Sequence, residues 1–182
     1  MKIGGFFIAL VFALAACSSA PQPREPTATT TPAPAPAPSS TATAPAMPAQ
    51  ATEDSPEGAA AFVDYWIQAL NYAAATGDTL DLDAASADSC RVCQDYIETF
   101  DLTYDRGGYY LNAEWTPGDL TVQDDVVETY VTFVAQTEPG RYRTEGTAPE
   151  KLSTGTDTKV SIAVAYDDKG WTTTQLGLGD VK

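Results

Sequence analysis

The sequence predicts an α+β domain: two or three helices on its N-terminal side, packed on a curved antiparallel sheet of four to five strands. Three observations carry this. Apolar residues recur at helical spacing through the first half of the folded part and never return to it. From residue 109 onward the pattern switches to strict alternation. Turn signals then separate the alternating runs, so that helices come first and an antiparallel meander follows.

The first helix opens at Ser55, an N-cap residue followed by Pro56 at the first helical position. Phe62, Val63, Trp66, Leu70 and Ala73 form one stripe, with Asp64, Gln68 and Asn71 off it, and Gly77 is the stop. After a short acidic connection, Asp88 or Ser89 caps a second helix over 90–104. Its stripe is Val92, Cys93, Tyr96, Ile97, Phe100 and Tyr104, and Gly107-Gly108 ends it. In the first strand, Tyr109, Leu111, Ala113 and Trp115 oppose Tyr110, Asn112 and Glu114. In the next, Val127, Thr129, Val131, Phe133 and Ala135 oppose Glu128, Tyr130, Thr132 and Val134. Pro139-Gly140 turns the chain into a short return strand around Tyr142. Residues 144–158 are polar, with Pro149 and Gly155, and read as a loop over a sheet edge or a short strand. Val160, Ile162, Val164 and Tyr166 make the next strand, the 167–170 segment Asp-Asp-Lys-Gly is a hairpin signal, and 171–178 closes the sheet.

Helix, helix, then a meander ending in Tyr166-Asp167-Asp168-Lys169-Gly170-Trp171 resembles the nuclear-transport-factor-2-like (NTF2-like, cystatin-like) cone. Phe62-Val63-Asp64-Tyr65-Trp66, taken with Ser86-Ala87-Asp88-Ser89-Cys90 and Cys93, is similar to an uncharacterised family of small actinobacterial lipoproteins. The resemblance spans roughly residues 55–178. It implies a surface lipoprotein with one cone-shaped domain and brings no activity with it.

The N-terminus points the same way. Met1-Lys2 is a short positive region, and residues 3–16 are an apolar run of 14, the layout of a secretory signal. A spanning helix needs about 20 apolar residues. Leu14-Ala15-Ala16-Cys17 resembles the lipobox of bacterial lipoproteins. That resemblance implies cleavage before Cys17, a diacylglycerol thioether on its sulfur, and attachment to the extracytoplasmic face of the cell membrane; the fatty acyl chains, palmitate among them, would be the anchor. The chain thus divides into a signal peptide (1–16), a lipidated cysteine with a Pro/Ala/Thr-rich linker (17–54) and a folded domain (55–182).

Ten of the thirteen prolines fall between Ser18 and Pro56, with Pro32, Pro34, Pro36 and Pro38 in strict Pro-Ala alternation. Such a segment has too little apolar surface to offset the entropy of ordering. At about 3.1 Å per residue in polyproline II, its reach is roughly 120 Å, enough for a tether that lifts the domain off the bilayer. A proline-motif ligand is the alternative reading. Thr and Ser at 27–31 and 39–43 are compositional candidates for O-linked sugars.

The domain holds about 128 residues, a common size for one core. From residue 54 it carries 8 basic against 23 acidic side chains, a balance of −15. A chain this acidic is a poor partner for nucleic acid and is repelled by anionic lipid heads.

Cys90 and Cys93 remain once Cys17 is assigned to lipid. An even pair in an oxidising compartment reads as a local disulfide at the start of the second helix, or as a redox-active dithiol there. No metal site is expected, because zinc wants four ligands and the chain has no histidine. The absence of histidine also removes Ser-His-Asp and Cys-His mechanisms. Acid-base work would fall to carboxylates and tyrosines, with Asp64 and Tyr65 on the first helix, and Asp95, Tyr96 and Tyr104 on the second, as candidates.

Two function classes stay open. One is a non-catalytic binding or interaction module with no cofactor. It would take a small apolar ligand or a cell-envelope protein in a pocket lined by Trp66, Tyr96, Phe100 and Tyr130. The other is a small enzyme of the isomerase or dehydratase kind working with a pocket Asp/Tyr pair. Thiol–disulfide exchange through Cys90 and Cys93 is a third.

Overall fold

The computed structural model describes residues 41–124 and 128–181. The lipobox, Cys17 and most of the linker lie outside them, as does Val127, expected in the second strand. Three helices, α1 (Pro56–Thr76), α2 (Leu80–Ala84) and α3 (Arg91–Asp105), precede eight strands. These are β1 (Tyr109–Leu111), β2 (Thr116–Pro117), β3 (Thr121–Asp124), β4 (Thr129–Thr137), β5 (Gly140–Arg143), β6 (Lys151–Ser153), β7 (Thr156–Asp167) and β8 (Gly170–Asp180). The class is α+β, with the helices packed on antiparallel sheets.

α1 follows its sequence signals. The Ser55 hydroxyl accepts from the Gly58 amide at 3.0 Å, and Pro56 occupies the first turn. Gly77 ends the helix at φ +79°, where its amide donates to the Ala73 carbonyl. A side chain there would be strained and would also run into the Tyr104 ring. α3 starts at Arg91 rather than Cys90. Its N-cap is Cys90, not Asp88 or Ser89, and no side chain caps it. The sulfur that would otherwise be free is bonded to Cys93, and the Cys90 amide is held by the Ala87 carbonyl at 2.9 Å. α2 is one short turn within the acidic connection; it seats Leu82 in the core.

The larger sheet runs β2-β4-β7-β8, with β3 also paired to β4. The long β4–β7 and β7–β8 ladders are the expected meander, though β7 and β8 extend beyond the apolar residues that signal them. Val131, Phe133 and Ala135 of β4 face the helices as the alternation requires, joined by Val160, Ile162 and Val164 of β7. Against them α1 places Phe62, Val63, Trp66, Ile67 and Leu70, all almost fully buried. Fully burying a side chain of this kind contributes about 1.5–3 kcal/mol, so this layer holds the fold.

Two features depart from the single expected sheet. The strand from Tyr109 stops at Leu111, because Asn112 takes φ 56°, a left-handed conformation that asparagine tolerates. Beyond Pro139-Gly140 the chain does not fold back on β4. β5 pairs with β1, and β6, inside the segment read as loop or short strand, pairs with β5, giving a separate sheet β1-β5-β6.

The packed part also starts before residue 55. Ala49–Thr52 forms a 3-10 turn with Ala51 buried. The Trp171 indole N–H donates to the Glu53 carbonyl at 2.8 Å, and the Tyr166 hydroxyl to the Thr52 carbonyl at 3.1 Å. The closing hairpin therefore captures the last linker residues by their backbone carbonyls, so the boundary drawn at 54 lies inside packed structure.

Candidate functional site

One face of α3 builds a groove. Val92, Asp95, Tyr96, Thr99 and Phe100 recur at three- and four-residue spacing and so share that face. β1 supplies Tyr110 as one wall and the end of β8 supplies Leu178 as the other, enclosing about 330 Å³. Phe100 is the buried floor, Tyr96 and Tyr110 are half-buried, and Leu178 stands exposed. The polar atoms sit on the rim: the Asp95 carboxylate, and the Thr99 hydroxyl, which donates to the Asp95 carbonyl at 2.6 Å.

The groove lies along an aromatic row. Trp115 meets Tyr96 edge-on at 5.9 Å, Tyr96 leans on Phe100 at 6.0 Å, and Phe100 meets Tyr110 edge-on at 5.6 Å. Tyr110 then stacks on Tyr142 of β5 at 5.9 Å, and the Lys151 ammonium lies over the Tyr142 ring. Each ring is held by its neighbours, and the Trp115 end of the row is fixed to α1. Asn71 of α1 clamps Trp115 by its backbone, donating to the carbonyl at 2.9 Å and accepting from the amide at 2.8 Å. The Tyr104 hydroxyl donates to the Ala74 carbonyl at 2.6 Å, tying α3 to α1 beneath the row. Burial pushes the Tyr96 and Tyr104 phenols above their ordinary range, so both are protonated at neutral pH.

Of the four residues expected to line a pocket, Tyr96 and Phe100 meet in this groove. Trp66 does not: it is fully buried in the core, its indole N–H donating to the Ser86 hydroxyl at 2.9 Å. Tyr130 does not either. It alternates with buried Val131 and so lies on the other face of β4, where its hydroxyl donates to Glu128 at 3.2 Å. Thr174 and Gln175 donate to the same carboxylate. Val92, Thr99, Tyr110 and Leu178 complete the groove. Val92 belongs to the helical stripe already legible in the sequence. Tyr110 lies opposite the run from Tyr109, and its signal is the Tyr109-Tyr110 pair, which puts an aromatic ring on each face of the strand.

The Asp/Tyr candidates do not assemble into a buried pair. Asp64 and Tyr65, adjacent on α1, point in different directions; Asp95 and Tyr96 both line the groove, with the Asp95 carboxylate exposed on its rim and the Tyr96 ring half-buried. Asp64 accepts from Gln68 at 2.7 Å on the helix flank. Tyr65 instead enters a cleft of about 430 Å³ with Met47, Tyr166, Lys169 and Trp171, its phenol raised by burial first and by Asp81 second. The Tyr104 hydroxyl is committed to a backbone carbonyl. Among the described residues, no group of three or more Cys, Asp or Glu side chains is placed to hold a metal ion.

Cys90 and Cys93 are bonded, with Cα atoms 5.3 Å apart and both residues buried. The bond clips the first turn of α3, where Val92 enters the groove. Attack by an external thiol requires access to sulfur, which burial denies. Replacing both cysteines by serine is expected to cost about 2 kcal/mol by the chain-entropy relation for so short a loop, measured by urea unfolding. The folded protein is expected to resist reduction until denaturant is added.

No described helix is long and apolar enough to cross a membrane. The fold is similar to that of the intermembrane space region of chloroplast protein ARC6, at 12% identity and TM-score 0.51, covering 71% of this chain and 99% of that one. A putative dehydratase of the NTF2-like family from Streptomyces avermitilis (15% identity, 70% and 99% covered) has TM-score 0.46. An NTF2-like protein of unknown function from Pseudomonas putida KT2440 (11%, 68% and 84% covered) has 0.44. Likeness at these identities concerns fold and carries no activity across. No curated protein matches the sequence. A family model matches residues 28–177, most of the chain, and by that match the protein belongs to DUF6318, a family of unknown function.

Proposed function

We propose that this protein is a lipid-anchored cell-surface lipoprotein whose domain is a non-catalytic binding module, with the α3/β1/β8 groove as its site. The observation that carries the binding reading is the apolar groove itself: aromatic walls around about 330 Å³, polar groups confined to the rim, and Leu178 exposed at its edge. Sites for apolar ligands have this composition. A flat or elongated apolar ligand fits the row of rings, and an apolar segment of a cell-envelope protein offers the same chemistry. The exposure of Asp95 on the groove's rim weighs against the isomerase or dehydratase alternative, which calls for a carboxylate buried in a cavity, and the buried sulfurs weigh against thiol exchange.

The anchor is read from Leu14-Ala15-Ala16-Cys17. Cys17→Ser is expected to release the protein from the membrane fraction into the medium or periplasm; retention in the membrane would contradict the anchor and leave the groove reading untouched. For the groove, the neutral fluorophore N-phenyl-1-naphthylamine is titrated against the mature chain and against Tyr96→Ala. Removing the central ring is expected to weaken binding about thirtyfold, the roughly 2 kcal/mol of a hot-spot aromatic residue. Equal affinity for the two chains would contradict the site.

A further inference from the structure

We propose that the cleft between α1 and the β7–β8 hairpin is a second binding site, separate from the groove, and that it takes a neutral pyranose sugar. The cleft encloses about 430 Å³, within the range of small-molecule sites. Three pieces of chain far apart in sequence build it. α1 supplies Phe62 and Tyr65, the hairpin supplies Tyr166, Lys169 and Trp171, and the 3-10 turn at Ala49–Thr52, with Met47 before it, closes the third side. These walls are tied to one another. The Tyr166 hydroxyl and the Trp171 indole N–H hold the Thr52 and Glu53 carbonyls, and the Lys169 amide donates to the Asp167 carboxylate at 2.8 Å, which sets the hairpin turn.

Tyr65 carries the inference. It is only 6% exposed, yet its hydroxyl has no hydrogen-bond partner among the described residues. Such a hydroxyl takes its partner from the cleft, and a ligand hydroxyl that replaces water there keeps the bond. Burial first and Asp81 second hold the phenol above its ordinary range, so it meets a ligand protonated, able both to donate and to accept.

The rim selects the class of ligand. Asp168 and Lys169 stand side by side at the mouth, one an acceptor and the other a donor, with charges that cancel; the Lys169 ammonium has no ion-pair partner among the described residues. A charged ligand meets one attractive and one repulsive group, whereas a neutral polyol uses both. The remaining wall is aromatic. Tyr166 meets Trp171 edge-on at 5.0 Å and so fixes the half-buried indole against the cleft. A pyranose combines an apolar face of C–H groups, which packs on an aromatic ring, with edge hydroxyls placed for Tyr65, Asp168 and Lys169. The groove along α3, whose interior is apolar, offers no such set of partners.

The test titrates the isotopically labelled mature chain, carrying Cys17→Ser, with the methyl glycosides of glucose, galactose, mannose and N-acetylglucosamine. At least one is expected to give saturable shifts at the amides of Tyr65, Lys169 and Trp171. Tyr65→Phe removes only the unpartnered hydroxyl; it is expected to weaken that glycoside about fivefold while the urea midpoint of unfolding stays unchanged. Lys169→Ala, on the exposed turn, is expected to weaken it about threefold. Absence of saturable shifts with all four glycosides would overturn the proposal, as would shifts at these amides from tetramethylammonium or acetate alone, which would mark a charged-ligand site. Equal affinity for the native chain and Tyr65→Phe would remove the residue on which the site rests. Displacement of the glycoside by N-phenyl-1-naphthylamine would mean one shared site and would overturn the separation from the groove.

Discussion

Trp66→Ala is expected to lose about 4 kcal/mol of stability in urea unfolding, a large part of what a domain this size possesses. Trp66 is fully buried at the centre of α1, and its loss leaves a cavity that the surrounding helix and sheet residues cannot fill without moving. The damage extends beyond volume. The indole N–H donates to Ser86, and Ser86 donates in turn to the Leu82 carbonyl at 2.8 Å, so one side chain ties α1 to the chain leaving α2. That chain is itself fastened to β8: the Ala87 amide donates to the Thr173 carbonyl at 2.8 Å, and the Thr173 amide to the Ala85 carbonyl at 3.0 Å. Trp66→Phe keeps most of the packing and loses the bond, and is expected to cost about 1–2 kcal/mol. If Trp66→Ala cost no more than Trp66→Phe, Trp66 would not be the centre of this core.

Gly108→Ala is expected to cost at least about 2 kcal/mol and to weaken groove binding with it. A Cβ at residue 108 would lie 2.2 Å from the Arg143 carbonyl oxygen and 2.8 Å from that of Thr103. Both are backbone atoms, one in β5 and one in α3, and neither can rotate away. The Gly108 amide donates to the same Thr103 carbonyl at 2.8 Å, so this residue sets how closely the small sheet approaches α3. Pushing them apart separates Tyr110 from Phe100 and widens the groove. Fluorophore affinity should therefore fall at temperatures where the variant is still folded. A variant of native stability and native affinity would mean that the close approach at Gly108 does not govern the site.

The helices were legible because Ser55, Pro56 and Gly77 punctuate them and Trp66, Leu70, Tyr96 and Phe100 keep the helical period. The β7–β8 hairpin was legible because its turn is four residues of strong turn chemistry. α2 was not, since five residues among aspartates complete no period. Nor was the division into two sheets. Alternation gives the face of a residue and not its partner strand, and the left-handed Asn112 that ends β1 leaves no mark in an apolar pattern. β3 was missed because Val122 is its one large apolar residue. The same limit governed the site. Periodicity put Trp66, Tyr96 and Phe100 on inward faces, and only tertiary packing separates a core ring from a groove ring. Tyr130 was expected in a pocket and Tyr110 was not, because two alternating faces cannot be told apart until the helices are laid on one of them.

The measurement that bears most directly on the binding-module account is chemical-shift mapping of N-phenyl-1-naphthylamine on the isotopically labelled mature chain. The account predicts saturable shifts concentrated at Val92, Thr99, Tyr110 and Leu178, with the amides of Tyr65 and Trp171 unmoved. Shifts centred on the Tyr65–Trp171 cleft, or spread evenly over the domain, would contradict it.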